Sequence, residues 1–157
     1  VHNGFKNELD KLWADVLVSL QRIGNRKLYI CGHSLGAAMA TICASRLEEH
    51  FPELYTYGSP RVGGKEFVKN CLVNHNRHVN NNDMVTSVPF WIMGFRHHGD
   101  LTYINFYGNI RQLTKWQRVK DQLRGRWAAI KKYQFFDGIR DHNMGSYSKY
   151  LKRRVGE

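Results

Sequence analysis

Residues 29–40 read YICGHSLGAAMA. The run Lys27-Leu-Tyr-Ile-Cys31 has the composition of a short buried strand and breaks at Gly32, whereas Leu35 to Glu49 has the Ala-rich composition of a helix packed closely on a neighbour. Between them Gly32-His33-Ser34-Leu35-Gly36 matches G-x-S-x-G, and strand, turn and helix follow in the order a nucleophile elbow requires. A turn this sharp strains the serine backbone, so Cβ atoms at the Gly32 and Gly36 positions are expected to collide with the neighbouring strand and helix. The strain would aim the Ser34 hydroxyl outward. It would then sit at a helix N-terminus, where free N–H groups and the helix dipole favour developing negative charge.

A serine hydroxyl is a weak nucleophile near neutral pH and needs a base, usually His, held in turn by a carboxylate. Eight histidines compete for that role. In the chain order expected for this architecture the acid follows the serine and the histidine comes last. That order favours His142, in the polar segment Arg140-Asp-His-Asn-Met-Gly-Ser-Tyr147 ahead of a final helix, with His97-His98 as the alternative. The favoured acid is Asp83, in a loop after a strand and behind three Asn, which are natural loop formers. Asp100 and Asp141 are the substitutes, Asp141 being hard to orient because it adjoins His142.

Outward from this centre, Phe5, Leu9, Leu12, Val16, Leu17 and Leu20 fall on one helix face, and Gly24-Asn25 ends the pattern. Glu53 to Tyr57, Arg77 to Asn80 and Leu101 to Tyr107 read as strands, and Lys65 to Val73 as a short helix. Strands alternating with helices predict a mostly parallel sheet covered on both faces. Its active site would lie beyond the carboxyl ends of the strands.

The chain has 157 residues, 42% of them hydrophobic, with eight Tyr, eight Phe and four Trp, the make-up of a packed globular protein. One domain, residues 1–157, is expected, without repeats or linkers. No apolar run approaches the roughly 18 residues of a spanning helix. Three cysteines without a CxxC pair argue against a disulfide framework or a cysteine-rich metal site; Cys31, Cys43 and Cys71 are expected to be buried free thiols. Val1 is not a Met and no signal peptide is visible, so the reading is that an N-terminal portion precedes this chain, and the compartment stays unassigned.

Of the net charge of +11, most falls after Ile104, where 13 Lys/Arg face 4 acids. Gln112 to Tyr133 reads as a basic amphipathic helix, Leu113, Trp116, Val119, Leu123, Trp127 and Ile130 recurring at three- and four-residue steps. Two readings stand: Trp116 and Trp127 pack on the domain while the cations face water, or the helix lies on anionic lipid. The aromatics alternate as a core stripe would and no nucleic-acid motif is present, so no nucleic-acid partner is expected.

Five stretches taken in order, VHNGF at Val1, GHSLGAAMA at Gly32, YTYGSPRVGG at Tyr55, HVNNNDMVTSVPF at His78 and DHNMGSY at Asp141, resemble the class 3, fungal-type lipases. The resemblance implies an α/β-hydrolase fold, lipid esters of long acyl chains as substrates, and neither metal nor cofactor. It places the nucleophile on Ser34, the orienting acid on Asp83 and the base on His142, with the Leu35 backbone N–H as one oxyanion donor. It also implies a preceding strand with an F-R-G-[ST]-like motif, supplying the second donor, and a lid. Both would lie before Val1, leaving the chain without N-terminal strands and with an unpaired sheet edge open to association or to the missing segment. A phospholipase or feruloyl-type esterase is the nearest alternative; outside enzymes, the alternatives are an inactive lipase-fold fragment and a basic lipid-binding module.

Overall fold

The structure, a computed structural model, describes residues 1–111, 113–114, 116–123 and 142–155. Helix α1 (Asn3–Ile23) ends where Gly24 takes φ 65° and donates its N–H to Leu20 O, a conformation that costs glycine little. Strand β1 (Tyr29–His33) runs straight into helix α2 (Leu35–Arg46). Then follow β2 (Glu53–Tyr57), β3 (Gly63–Gly64), α3 (Lys65–Asn70), β4 (Asn74–Asn80), β5 (Phe95–Arg96), β6 (Asp100–Ile104) and β7 (Ile110–Arg111). Residues 116–123 are helical, and α4 (Met144–Val155) closes the described chain.

The main sheet has the order β1-β2-β4-β6-β7. Its first three pairings are parallel and only β7 runs antiparallel, against β6, matching the expected mostly parallel sheet. β3 and β5 form a separate antiparallel pair. Helix α2 lies against β1 and β2, and α1 against α2. Alanines make the close approach feasible: Ala37, Ala38 and Ala44 are fully buried, and Leu9 of α1 meets Ala38, Ile42, Cys43 and Leu47 in one apolar cluster. A second cluster joins Ala40 and Ala44 to Leu54 of β2 and to Cys71 and Val73.

Several expectations need correction. The elbow strand sits two residues later than its apolar run, because β1 pairs with β2 through Gly32 and His33. As the edge strand, β1 hydrogen-bonds only to β2 among the described residues, and its Tyr29 and Cys31 are exposed; of the three cysteines only Cys43 and Cys71 are buried. Asp100 is a strand residue, paired in register with Asn76 at the start of β6, and so lies at the end of the parallel strands remote from Ser34.

The helix expected over 112–133 is seen only at 116–123; Gln112, Lys115 and everything from Arg124 to Asp141, Trp127 included, lie outside the described residues. Where it is seen, it is turned the other way round from the packing reading. Trp116, Val119 and Leu123 are exposed, whereas Asp121 is buried with its Oδ2 accepting from Tyr103 OH at 3.1 Å and Phe106 N at 2.9 Å. Those polar anchors, and not the aromatic stripe, decide which face meets the sheet. No described helix is long and apolar enough to cross a membrane.

Candidate active site

Ser34 occupies the joint between β1 and α2 with φ 57° and ψ −124°, a backbone state that non-glycine residues rarely hold. Its N–H bonds Tyr57 O of the neighbouring strand at 3.1 Å, and its carbonyl accepts from Ala37 and Ala38 of the first helical turn. The turn closes only because Gly32 lacks a side chain: a Cβ there would stand 2.3 Å from Gly36 O and 2.8 Å from Ala37 N. Gly36 differs from the expected clash with the neighbouring strand, since a Cβ at that position meets no heavy atom within 4 Å beyond its chain neighbours and its own helix's backbone among the described residues. Leu35 is the first residue of α2, so its N–H is among those without an intrahelical carbonyl to meet.

Two long-range partners converge on Ser34. His142 Nε2 lies 2.8 Å from Ser34 Oγ, and His142 Nδ1 lies 2.9 Å from both carboxylate oxygens of Asp83. A carboxylate accepts, so Nδ1 carries the proton and Nε2 is free to accept from the serine hydroxyl. Asp83 follows β4 and caps the short 3-10 turn Met84–Ser87, its Oδ1 accepting from Val85 N at 3.0 Å. One residue is therefore both turn former and histidine partner.

The Asp83 side chain is fully buried. Its Oδ2 also accepts from Tyr147 OH at 2.5 Å, and the same hydroxyl accepts from Asn80 N at 3.0 Å, tying α4 to the end of β4. Tyr147 is itself fully buried. His33, expected only as part of the elbow, also braces His142. Its Nε2–H donates to His142 O at 2.6 Å, and its ring stacks on the His142 ring with centroids 4.6 Å apart. Gly58, in the left-handed region at φ 59°, sits beside the Asp83–His142 pair with no room for a side chain. A Cβ there would come within 2.7 Å of Asp83 Oδ2 and 2.9 Å of His142 Nδ1.

Sequence reasoning does not reach the roles of Tyr147 and Gly58, although both stand inside the quoted motifs, five residues after His142 and one after Tyr57. The alternative bases are committed elsewhere. His97 Nε2–H donates to Thr86 O at 2.9 Å. His98 Nε2–H donates to Cys71 O at 3.0 Å, leaving its Nδ1 to accept from His75 Nδ1–H at 3.0 Å, while Thr56 Oγ1 donates to His75 Nε2 at 2.7 Å. Burial, aided by the neighbouring His98, holds His75 down at about 3. Burial, aided by Arg77 and Arg61, does the same to His97, also at about 3. Asp141 is outside the described residues, among which no group of three or more His, Cys, Asp or Glu could hold a metal ion.

This geometry has counterparts. Residues 1–93 match the family model of the class 3 lipases. The chain is 40% identical over 94 residues to the toxin TseL of Vibrio cholerae, covering 57% of the chain and 15% of that protein. It is 35% identical over 118 residues to a lipase of Rhizomucor miehei, covering 66% of the chain and 32% of that protein. The chain thus spans about a third or less of the length of these curated relatives. Among solved structures, a mono- and diacylglycerol lipase from Aspergillus oryzae is similar with a TM-score of 0.62 at 29% identity, over 73% of the chain and 45% of that one. The parallel sheet and flanking helices of the chain are those of an α/β-hydrolase fold. By its family match, and by an elbow sequence that falls inside the matched span, the chain belongs to the class 3 lipase family.

Proposed function

We propose that the chain carries the catalytic machinery of a serine ester hydrolase acting on lipid esters, with Ser34 as nucleophile, His142 as base and Asp83 as its orienting acid. The continuous Ser34–His142–Asp83 hydrogen-bond relay carries this reading. In the forward step Ser34 Oγ attacks the ester carbonyl while its proton passes to His142 Nε2, and the imidazolium so formed is held by Asp83. His142 then returns the proton to the departing alcohol, leaving an acyl ester on Ser34; water, deprotonated by the same histidine, releases the fatty acid. The Leu35 N–H at the start of α2 is the oxyanion donor within this chain. The names of the relatives favour acylglycerols over phospholipid or feruloyl esters.

A fluorophosphonate ester tests this directly. It is expected to label Ser34 covalently, with Ser34→Ala and His142→Ala unlabelled; a folded chain that stays unlabelled refutes the reading.

Lipid contact has its own support. Phe90, Trp91, Ile92 and Met93 are all exposed, as are Trp116 and Leu123, and Lys120 lies over the Trp116 ring. The inference is that these side chains meet a lipid surface, its negative charge favoured by the basic C-terminal third. Trp116→Ser together with Trp91→Ser should then weaken sedimentation with anionic vesicles at least tenfold; unchanged sedimentation would leave the helix as a solvated face.

A further inference from the structure

Across the turn Met84–Ser87 from the triad lies a cavity of about 250 Å³. Its floor is one face of β4 and β6, its roof the helical residues 116–123, and its wall the far end of that turn, where Thr86 Oγ1 donates back to Asp83 O at 2.8 Å. Three arginines are among its lining residues, Arg61, Arg77 and Arg118.

Arg77 is only 8% exposed, an uncommon place for a cation. The Nε atoms of Arg77 and Arg118 are buried with no hydrogen-bond partner among the described residues. Nor, among those residues, does a carboxylate pair with any of the three: Asp121, on the same helix as Arg118, turns its Oδ2 to Tyr103 OH and Phe106 N. Arg61 spends its Nη1 on the carbonyls of Ser87 and Pro89, which aims it at the cavity mouth beside exposed Ser87. His97, also lining the cavity, is neutral and adds no charge.

Three arginines lining one cleft with no counter-charge among the described residues repel one another and leave desolvated donors unmet, an arrangement that an anion would complete. Burial, with Arg118 and Arg61 nearby, already lowers Arg77 to about 10. We propose that this cavity binds a phosphoryl oxyanion, either as free phosphate or as a phospholipid headgroup, with Arg77 and Arg118 as its inner ligands and Arg61 at the mouth. Guanidinium forks match phosphoryl oxygens in geometry, and several of them suit a tetrahedral dianion better than a planar monoanion. The site is separate from the proposed ester chemistry and does not depend on it.

Titration of the full chain with inorganic phosphate, against acetate at matched ionic strength, tests the proposal by calorimetry and by melting temperature. Saturable binding of phosphate and not acetate is expected. Arg118→Gln, on a half-buried helical position, should weaken it at least tenfold, and Arg77→Met should abolish it. In phosphate-free buffer Arg77→Met should melt no lower than the parent, because it removes an unpaired buried charge; a merely structural arginine would not behave so. Glycerol 3-phosphate and phosphatidate vesicles separate the sources. Equal binding of phosphate and glycerol 3-phosphate marks a free-anion site, and a preference for phosphatidate vesicles that Arg118→Gln removes marks a headgroup site. No saturable response to phosphate or phosphatidate, an equal response to acetate, or binding undiminished in Arg118→Gln overturns it.

Discussion

Substituting Gly58 by Ala probes whether the Asp83–His142 pair works only at its present spacing. The new Cβ would begin 2.7 Å from Asp83 Oδ2, 2.9 Å from His142 Nδ1 and 3.0 Å from His142 Cε1. Ordinary contact starts near 3.5 Å, so the pair must withdraw by about 0.5–0.8 Å. Asp83 is held on two other sides, by Tyr147 OH and by Val85 N, and His142 is held by His33, so the new Cβ can be accommodated only by displacing one of these contacts and with it the pair. A shift of that size takes the 2.8 Å contact between His142 Nε2 and Ser34 Oγ past good hydrogen-bond length. Misplacement on this scale costs about 10²-fold in rate, or about 2.7 kcal/mol of transition-state stabilisation. The strained backbone at φ 59° adds a separate loss of about 1 kcal/mol of folding stability. The second-order rate of fluorophosphonate labelling, with hydrolysis of a short p-nitrophenyl ester, reads the first effect, and urea unfolding reads the second. A folded Gly58→Ala chain that labels within threefold of the parent rate would refute the idea that Gly58 sets the spacing of the pair.

Three further outcomes follow from neighbouring contacts. Tyr147→Phe removes the 2.5 Å bond to Asp83 Oδ2 and takes away the acceptor at Asn80 N–H, and should lower stability by about 1.5–3 kcal/mol in chemical denaturation while slowing labelling of Ser34; an unchanged unfolding midpoint would contradict it. Gly32→Ala, with its Cβ 2.3 Å from a backbone carbonyl that cannot swing away, should abolish folding or labelling, and a fully active variant would mean the elbow is wrongly described. Acid should destabilise the fold early. His75 and His97 are held at about 3 when folded, so below their ordinary value near 6.5 the unfolded chain takes up protons that the folded chain does not. Their contribution is therefore fully present above about pH 6.5 and declines towards pH 3, by about 2 kcal/mol per histidine at pH 5. A flat stability profile between pH 7 and 5, or a His75→Gln chain with an undiminished slope, would overturn this.

Much of the elbow was legible because its stereochemistry is local. A strand, a strained serine and a helix within twelve residues leave few options, and Gly32 is required by atoms only four and five positions away. Helix α1 and its end at Gly24 were readable for the same reason, since periodicity and a left-handed terminus are properties of neighbours in sequence. Motif order also brought Asp83 and His142 to notice, although separations of 59 and 108 residues lie between the bonded partners.

What the chain alone could not reveal was which surfaces would meet. The stripe Trp116, Val119 and Leu123 has the spacing of a buried face, yet Asp121 is the residue that is buried, because Tyr103 OH and Phe106 N await its carboxylate across the fold. Cys31 and Cys43 are the same residue type, but Cys31 stands on an edge strand whereas Cys43 lies on α2, packed in a cluster with Leu9 of α1. Periodicity says that two faces differ; it does not say which partner either face finds. By itself the sequence determined the strand–turn–helix around Ser34, the chain order of Asp83 and His142 behind it, and the parallel layout of strands. Only the tertiary structure decided that Tyr147 holds Asp83, that a side chain at Gly58 would collide with the Asp83–His142 pair, and that Arg61, Arg77 and Arg118 share a cavity, because these depend on groups far apart in the chain competing for the same buried space.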